Sequence, residues 1–238
     1  MASEIDKEQA EKYVFAQNVQ QSTLFNGFNR YAVAVVTLLS AVLILGVGFS
    51  TTDFVTEVTG FVQATIGLAG LVFAIWATET RKNAIQNTFL TLTITLIEVA
   101  GLVNGLVILA AKVQNTNLAT PFYLIPYLVF LLVFFITYVA SHASSGNGGS
   151  GHTKTVSFAG FFVIFIGAFI FAKVFGTASF NALDSLSGSS LGLSILGVGA
   201  LLNLILGALS ALSFYRNLLV KRFDIDLSRL YDAGQYSS

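Results

Sequence analysis

The sequence has no cysteine and only two histidines, His142 and His152, among its 238 residues. The absence of cysteine excludes disulfides, thiolate metal sites and a cysteine nucleophile. Both histidines stand beside a run of glycine and serine with no carboxylate nearby, whereas a metal site needs several further ligands. The sequence therefore predicts a flexible loop over residues 142–155, and it predicts no metal, haem or other cofactor.

Charged side chains are also scarce, at 10% of the chain, while hydrophobic residues make up 55%. A soluble domain averages about 25% charged residues. The formal net charge is zero, so no overall electric field attracts nucleic acid, and none is expected as a partner. This composition is typical of a protein embedded in a lipid bilayer.

Catalytic patterns are missing from the apolar part of the chain. There is no P-loop and no His-Glu-x-x-His pattern, and no histidine falls within an apolar segment. Glu98 is the one carboxylate inside the predicted spans, whereas an intramembrane enzyme usually needs paired acids or a nucleophile with its base. The sequence thus predicts that the protein is not an enzyme.

Six apolar segments are long enough to cross a bilayer, which takes roughly 20 residues of helix for about 30 Å of hydrocarbon. Helices are expected because backbone polar groups in lipid must be satisfied within each segment. The fold class predicted is an all-α integral membrane protein, a six-helix bundle over residues 31–215. Its predicted spans are 31–49, 60–78, 88–111, 121–141, 156–174 and 191–215.

The distribution of positive charge predicts the orientation. With six spans, ten of the twelve lysines and arginines fall on the side that holds both termini. Only Lys112 and Lys173 fall on the other side. Because positive charge is enriched in cytoplasmic loops, both termini are expected in the cytoplasm, and the protein is expected in the cell membrane.

The N-terminal segment, residues 1–30, is expected outside the bilayer. Ser3 is followed three residues later by Asp6, which is a capping pattern, and good helix formers come next. These features predict a short cytoplasmic helix over residues 3–20. It is expected to lie on the membrane surface or against a partner.

The C-terminal segment, residues 216–238, is expected to be a cytoplasmic tail. Leu219, Phe223 and Leu227 recur at helical spacing, which predicts a helical extension of the sixth span. Lysine and arginine residues at its start suit lipid headgroups. Docking on a partner subunit is the competing interpretation.

The third predicted span carries an unusual face. At 100° per residue, Thr95, Gly101 and Gly105 each lie within about 60° of Glu98. A charged residue at mid-bilayer costs on the order of 3 kcal/mol, so this face is expected to point into protein. Glu98 is either an ion-binding group, with Thr95 and Asn104 as further ligands, or a buried polar anchor that is protonated or hydrogen-bonded. In the second case the glycine pair allows close helix packing.

The sixth predicted span repeats this pattern 99 residues later. The repeat adds Asn203 to the candidate ion-binding or anchor residues, and Gly197 and Ala200 to the candidate helix-packing residues. Inverted repeats of this kind occur in transporters, although the first and fourth spans are out of register. The equivalent pairs are Thr95/Ser194, Glu98/Gly197, Gly101/Ala200 and Asn104/Asn203.

Three functions remain open. The first is a non-catalytic structural or accessory subunit of a larger membrane assembly, which is favoured by the missing catalytic groups and the small-residue helix faces. The second is a small proton or cation channel or transporter that uses Glu98. The third is a membrane protein that assembles with copies of itself through glycine and alanine faces. The expected partners are the lipid bilayer, other membrane subunits or further copies of the chain.

Overall fold

The structure, a computed structural model, describes residues 6–15, 30–78, 85–113, 122, 124–145 and 189–228. These parts of the chain contain helices and no strand. The helices are α1 (Lys7–Phe15), α2 (Arg30–Thr51), α3 (Phe54–Thr78), α4 (Thr88–Val113), α5 (Ile125–Ser145) and α6 (Ser189–Phe223).

Helices α2 to α6 are long and apolar enough to cross a membrane. The prediction of an all-helical membrane protein is confirmed to that extent. The predicted fifth span, residues 156–174, lies outside the described residues. Helix α5 continues to Ser145 and so includes the first residues of the predicted loop; the remainder of that loop, residues 146–155, also lies outside them.

Helices α2, α3 and α4 pack closely because glycines remove side chains from their contacts. A Cβ atom on Gly60 would lie 2.7 Å from Cγ of Leu45, and one on Gly67 would lie 2.9 Å from Cγ of Leu38. Residue numbers rise along α3 as they fall along α2, so these two helices are antiparallel. In lipid, small residues allow two helix backbones to approach in this way.

Asp53 stands in the short turn between α2 and α3, and its side chain contacts α3 and α4. The residue before it, Thr52, has a positive φ of 51°, which helps the chain reverse direction. The Asp53 carboxylate accepts hydrogen bonds from the Val55 amide at 3.2 Å and the Thr56 hydroxyl at 3.0 Å. It also forms an ion pair with Lys112 of α4, with 2.5 Å between Oδ2 and Nζ. One carboxylate therefore caps α3 and holds α4 beside it.

Helices α4 and α6 run antiparallel at the centre of the described bundle. Near the start of α4, the Ser213 hydroxyl donates to the carbonyl oxygen of Phe89 at 2.7 Å. Near the end of α4, Ala111 and Leu196 belong to one apolar cluster. The first residues of α4 thus contact the last residues of α6, and the last residues of α4 contact the first residues of α6. Helix α4 also contacts α2 and α3, while α6 also contacts α5.

Helices α5 and α6 run parallel to each other. Near the start of both, a Cβ atom on Gly199 would lie 3.3 Å from Cγ of Pro126. Further along both, the rings of Phe134 and Phe214 have centroids 6.0 Å apart. The contacts therefore advance in the same direction on the two helices.

The two ends of the bundle differ in that α1 docks at one of them, the α1 end, and not at the other, the far end. At the α1 end, helices α2 and α4 begin and helices α3, α5 and α6 finish, and α1 contacts α5 and α6 there. At the far end, helices α2 and α4 finish, and helices α3, α5 and α6 begin. The ion pair between Asp53 and Lys112 lies at the far end.

Helix α6 is longer than a bilayer requires and carries the N-terminal helix. Its 35 residues extend about 52 Å at 1.5 Å per residue, against about 30 Å of hydrocarbon. Tyr215 and Leu219 of α6 form an apolar cluster with the buried residues Ala10 and Val14 of α1. The Tyr13 and Tyr215 rings meet edge to face with centroids 5.5 Å apart. The N-terminal helix thus docks on the chain's own C-terminal region.

The two terminal helices differ in detail from their predicted bounds. Asp6 caps α1, because its Oδ1 accepts a hydrogen bond from a backbone amide one turn on at 2.8 Å; Ser3, the predicted cap, lies outside the described residues. Helix α6 ends at Phe223, since Asp224 adopts a left-handed backbone with φ 48°. The helical extension stops there, and Leu227 is buried in the non-helical segment that follows.

Candidate functional site

Glu98 lies near the middle of α4 and is almost completely buried, with 2% of its surface exposed. Its carboxyl rests against the backbone of α3 at Gly70, where a Cβ atom would overlap with Oε1. No described residue donates a hydrogen bond to Oε1. A buried oxygen without a donor is unusual, because a hydrogen bond normally offsets the cost of removing it from water.

The Gly-x-x-x-Gly pair of α4 faces the neighbouring helices α2 and α3. A Cβ atom on Gly101 would lie 3.9 Å from Cδ1 of Ile66, which is ordinary contact. A Cβ atom on Gly105 would lie 2.7 Å from both Oε1 of Gln63 and Cδ1 of Ile44. Gly105 therefore makes the tighter contact. This face of α4 lies inside the unit formed by α2, α3 and α4.

Two threonines continue the face towards the α1 end. Thr95 and Thr91 lie about one and two turns before Glu98, and they are 5% and 7% exposed. The Thr95 hydroxyl donates to the carbonyl oxygen of Thr91 at 2.9 Å. The Thr91 hydroxyl has no hydrogen-bond partner in the part of the chain that the structure describes. A line of hydroxyls thus leads from the carboxyl towards one end of the bundle.

Thr37 of α2 lies at the same level of the bundle as Glu98. Helices α2 and α4 are both antiparallel to α3, so they run parallel to each other, and Ile44 of α2 contacts the Gly105 position of α4. Thr37 and Glu98 each precede these two residues by seven positions. Thr37 is fully buried, and its hydroxyl oxygen has no partner among the described residues.

Gln63 of α3 is a second buried polar group that the sequence-based predictions missed. Its side-chain nitrogen donates to the Ser40 hydroxyl of α2, and its Oε1 receives no hydrogen bond from the described chain. Gln63 lies at the level of Gly105, seven residues from Glu98, which is about 10 Å along the helix axis. The amide and the carboxyl therefore do not share one binding site. Gln63 is the only glutamine within the predicted spans, and that signal could have found it.

Asn104 and Asn203 form a separate polar pair between α4 and α6. Each side-chain nitrogen donates to the other residue's side-chain oxygen, at 3.4 and 3.3 Å. The same nitrogens donate at 2.8 Å to carbonyl oxygens of their own helices, at Ala100 and Gly199. Asn104 thus points towards α6, whereas Glu98 points towards α3. The structure does not bring the two into one set of ligands.

Gly199 and Gly207 of α6 lie close to the neighbouring helices. A Cβ atom on Gly199 would lie 2.5 Å from a side-chain carbon of α4, and one on Gly207 would lie 2.7 Å from a backbone oxygen of α5. Ala200, a predicted packing residue, is buried. Gly197, the other predicted packing residue of α6, is half-buried. No atom of the described chain lies within 4 Å of the position that its Cβ atom would occupy.

A buried arginine lies at the α1 end of the bundle. Arg216 of α6 is 8% exposed. Its guanidinium lies 5.9 Å from the ring centroid of Tyr13 and 5.8 Å from that of Phe89. Such contacts between a cation and aromatic faces are attractive. The arginine therefore helps to join α1 to the start of α4 and the end of α6.

One sequence pattern of nucleophilic catalysis falls at the start of α6. Residues 188–192 read Gly-Ser-Ser-Leu-Gly, which matches the Gly-x-Ser-x-Gly nucleophile pattern. That chemistry needs the serine on a sharp turn between a strand and a helix, but Ser190 lies in the first turn of α6. Within the described ranges, no three histidine, aspartate or glutamate side chains cluster as metal ligands.

Comparisons with known proteins found no resemblance. No protein-family model matches the chain, and neither the curated proteins nor the solved structures that were compared gave a match. Function is therefore inferred from the geometry around Glu98 and from the arrangement of the helices.

Proposed function

We propose that this protein transports a small monovalent ion, a proton or an alkali cation, across a membrane, and that Glu98 binds it. The supporting observation is a carboxyl buried in the middle of a potential membrane span, with Oε1 lacking a donor in the described chain. Ionisable side chains at such depth often mark ion or proton pathways. A carboxyl that only held helices together would be expected to meet a donor on the next helix, but α3 presents Gly70 there.

The arrangement of the helices supports a transporter. Helix α2 runs parallel to α4 in one half of the bundle, and α5 runs parallel to α6 in the other. Helices α4 and α6 run antiparallel where the halves meet. Halves related in this inverted sense are common among secondary transporters. Asn104 and Asn203, which contact each other across the two halves, are the equivalent residues at an offset of 99.

We further propose six membrane crossings with both termini in the cytoplasm. Helix α5 finishes at the α1 end with Ser145, and α6 begins at the far end with Ser189. The chain therefore has to return between these residues, and the predicted span 156–174 is the apolar segment available for it. Basic residues of α1 and α6 lie at the α1 end, whereas Lys112 at the far end is paired with Asp53. This distribution agrees with the enrichment of positive charge in the cytoplasm.

A subunit of a larger assembly, or an oligomer of this chain, is the second candidate. The observation that favours it is an apolar groove of about 610 Å³ along α3, lined by Thr65, Ala69, Val72 and Trp76 among others. Small residues on such a face can receive a helix of another chain. Crosslinking in native membranes, followed by identification of the products, tests this candidate. A crosslinked partner or second copy supports it, and an exclusively monomeric product refutes it.

Purified full-length protein in liposomes tests the transport proposal. A pH-sensitive dye inside the vesicles reports proton flux, and radioactive sodium or rubidium reports alkali-cation flux. Glu98→Gln keeps the size of the side chain but cannot carry the charge, so its flux is expected to fall to that of empty vesicles. Glu57→Gln changes a half-buried acid at the start of α3 and is the matched control, expected to retain flux.

The folded amount of each variant is measured by size-exclusion chromatography. Loss of flux in Glu98→Gln at an unchanged folded amount supports transport through this carboxyl. Loss of folded protein in proportion to flux assigns the carboxyl a structural role instead. Wild-type vesicles that move neither protons nor alkali cations refute the proposal.

A further inference from the structure

We infer that the ion is a proton, and that it exchanges between Glu98 and the α1 end along the hydroxyls of Thr95 and Thr91. This inference rests on the proposed transport function and narrows it. It specifies the chemical nature of the ion and the side from which the carboxyl is reached.

The described residues around the carboxyl offer few oxygen ligands for a dehydrated metal cation, which is bound by several oxygens at once. Opposite Glu98, α3 presents Gly70, and the next contact along that face is Ile66. Among the described side chains of α2, Thr37 brings one hydroxyl to this level. The Oε1 atom of Gln63 is about 10 Å further along the axis by helix geometry. A proton needs only one oxygen, and the carboxyl supplies it.

The two directions along α4 from Glu98 differ in polarity. Towards the α1 end come the buried hydroxyls of Thr95 and Thr91, about 4.5 and 10 Å away along the axis. Towards the far end, the Gly101 position contacts Ile66, and the Gly105 position, about 10 Å from Glu98 along the axis, contacts Ile44 and the amide of Gln63. Ile66 lies about one turn from Glu98 and gives a proton no oxygen to occupy, whereas the opposite direction offers the Thr95 hydroxyl at the same distance, so the route is assigned to the α1 end.

The side chain opposite the outer hydroxyl is small. Gly70 of α3 lies opposite Glu98, and in this antiparallel register Ala77 lies opposite Thr91, seven residues further on each helix. Ala77 is fully buried. Its methyl group adds little bulk beside the hydroxyls. Residues one turn apart on a helix have Cβ atoms about 5–6 Å apart, a separation that one water molecule can bridge between Thr91 and Thr95.

The proton balance of the transfer is simple. The O–H bond of protonated Glu98 breaks, and its proton passes to the oxygen of a bridging water or of Thr95. That oxygen releases another of its protons towards the Thr91 hydroxyl; where it belongs to Thr95, its hydroxyl first turns away from the Thr91 carbonyl oxygen to which it donates in this conformation. One O–H bond forms for each one that breaks, so Glu98 is left as a carboxylate and one proton is delivered to the α1 end. The reverse sequence reloads the carboxyl.

Liposomes that contain the full chain test the route. The pair Thr91→Val with Thr95→Val removes both hydroxyls while keeping branched side chains of similar shape. Proton flux is expected to fall by about a hundredfold, the lower end of what a positioned proton-transfer group contributes. The corresponding pair of serine substitutions should recover much of the loss. Thr65→Val is the matched control, because Thr65 makes the same kind of hydrogen bond, to the Phe61 carbonyl at 2.9 Å, on an exposed face.

Replacement of sodium and potassium by choline distinguishes the ions. Proton flux that persists in choline supports the inference. Flux that requires sodium or potassium overturns the proton assignment and leaves the transport function standing, whereas the absence of any flux refutes the transport function itself. A valine pair that conducts at the wild-type rate overturns the hydroxyl route.

Single cysteines test the side of access, since the natural chain has none. Thr91→Cys is expected to react with a small charged thiol reagent added on the side of the α1 end. Gly101→Cys, at a position with ordinary room for a Cβ atom, is expected to react from neither side. Lys12→Cys, on the exposed face of α1, identifies the α1 side. Reaction of Gly101→Cys from the far side, or of Thr91→Cys only from that side, overturns the assigned direction.

Discussion

The position of the Glu98 carboxyl depends on a glycine of the neighbouring helix. A glycine inside a helix costs roughly 0.5–1 kcal/mol of stability relative to alanine. At Gly70 the glycine is needed, because the Glu98 carboxyl occupies the volume that a side chain would fill. Gly105 has the same relation to the side-chain amide of Gln63. In both places a polar side chain of one helix lies against bare backbone of the next and is kept out of lipid.

Gly70→Ala is expected to lower the free energy of unfolding by about 1–3 kcal/mol, as overpacking of a core does, because its methyl group would overlap with Oε1 of Glu98. Gly197→Ala is the matched control, since no atom of the described chain lies within 4 Å of its Cβ position. It is expected to leave stability unchanged or raise it by up to about 1 kcal/mol. Thermal unfolding in detergent measures both variants.

Equal destabilisation by the two alanine substitutions would contradict this account of Gly70. A double variant separates overlap with the carboxyl from a general intolerance of α3. Glu98→Ala combined with Gly70→Ala removes the group that the methyl displaces. The double variant is therefore expected to be more stable than the sum of the two separate effects implies.

At the scale of the helices, the contact between α4 and α6 is polar in its middle. The Asn104 and Asn203 amides bond to each other and to carbonyls of their own helices, and both side chains are fully buried. Interhelical hydrogen bonds in membranes average about 0.6 kcal/mol and reach about 1.7 kcal/mol. The pair therefore contributes modestly to stability. Its larger effect is on alignment, because a shift of either helix would leave buried amide groups without partners.

A double-mutant cycle on Asn104→Ala and Asn203→Ala tests the coupling between α4 and α6. Each single substitution is expected to cost about 1 kcal/mol, and the double variant is expected to cost less than their sum, because the second change removes a partner already lost. Reversible unfolding in mixed detergent measures the energies. A control cycle of Asn104→Ala with Thr65→Ala, on an exposed face of α3, should be additive. Additivity in the asparagine cycle as well would show that the amide contact adds nothing.

The elements could be predicted from the sequence to different extents. Helices α2 to α6 follow from apolar runs of sufficient length, because length and hydropathy alone decide whether a helix suits a bilayer. The docking of α1 does not follow in the same way. Only Ala10 and Val14 of this helix are fully buried, and they contact Tyr215 and Leu219 near the other end of the chain. A local pattern cannot indicate a contact between segments so distant in sequence.

At the scale of the whole molecule, the register between helices decides what the candidate site contains. The face of α4 that holds Glu98 can be derived from helical periodicity. Its neighbours Gly70 and Gln63 cannot, because they depend on how α3 lies against α4. The offset of 99 residues indicates that Asn104 and Asn203 are equivalent, but not that they touch. The structure shows that they do touch, with each side-chain nitrogen donating to the other residue's side-chain oxygen.

The proposed six crossings make a direct prediction for the two ends of the segment between α5 and α6. In the naturally cysteine-free chain, Ser145→Cys and Ser189→Cys are expected to react with an impermeant thiol reagent from opposite sides of the membrane. Lys12→Cys is expected to react from the same side as Ser145→Cys. Ser50→Cys, at the end of α2, is expected to react from the same side as Ser189→Cys. In intact cells the first side is expected to be the cytoplasm.

Labelling of Ser145→Cys and Ser189→Cys from the same side would contradict the six-span arrangement. A chain that did not cross between these positions would place α5 and α6 antiparallel. Two contacts oppose that alternative, since Pro126 lies beside Gly199 near the start of both helices and Phe134 lies beside Phe214 further along both. The labelling result therefore also tests the parallel packing on which the inverted relation of the two halves depends.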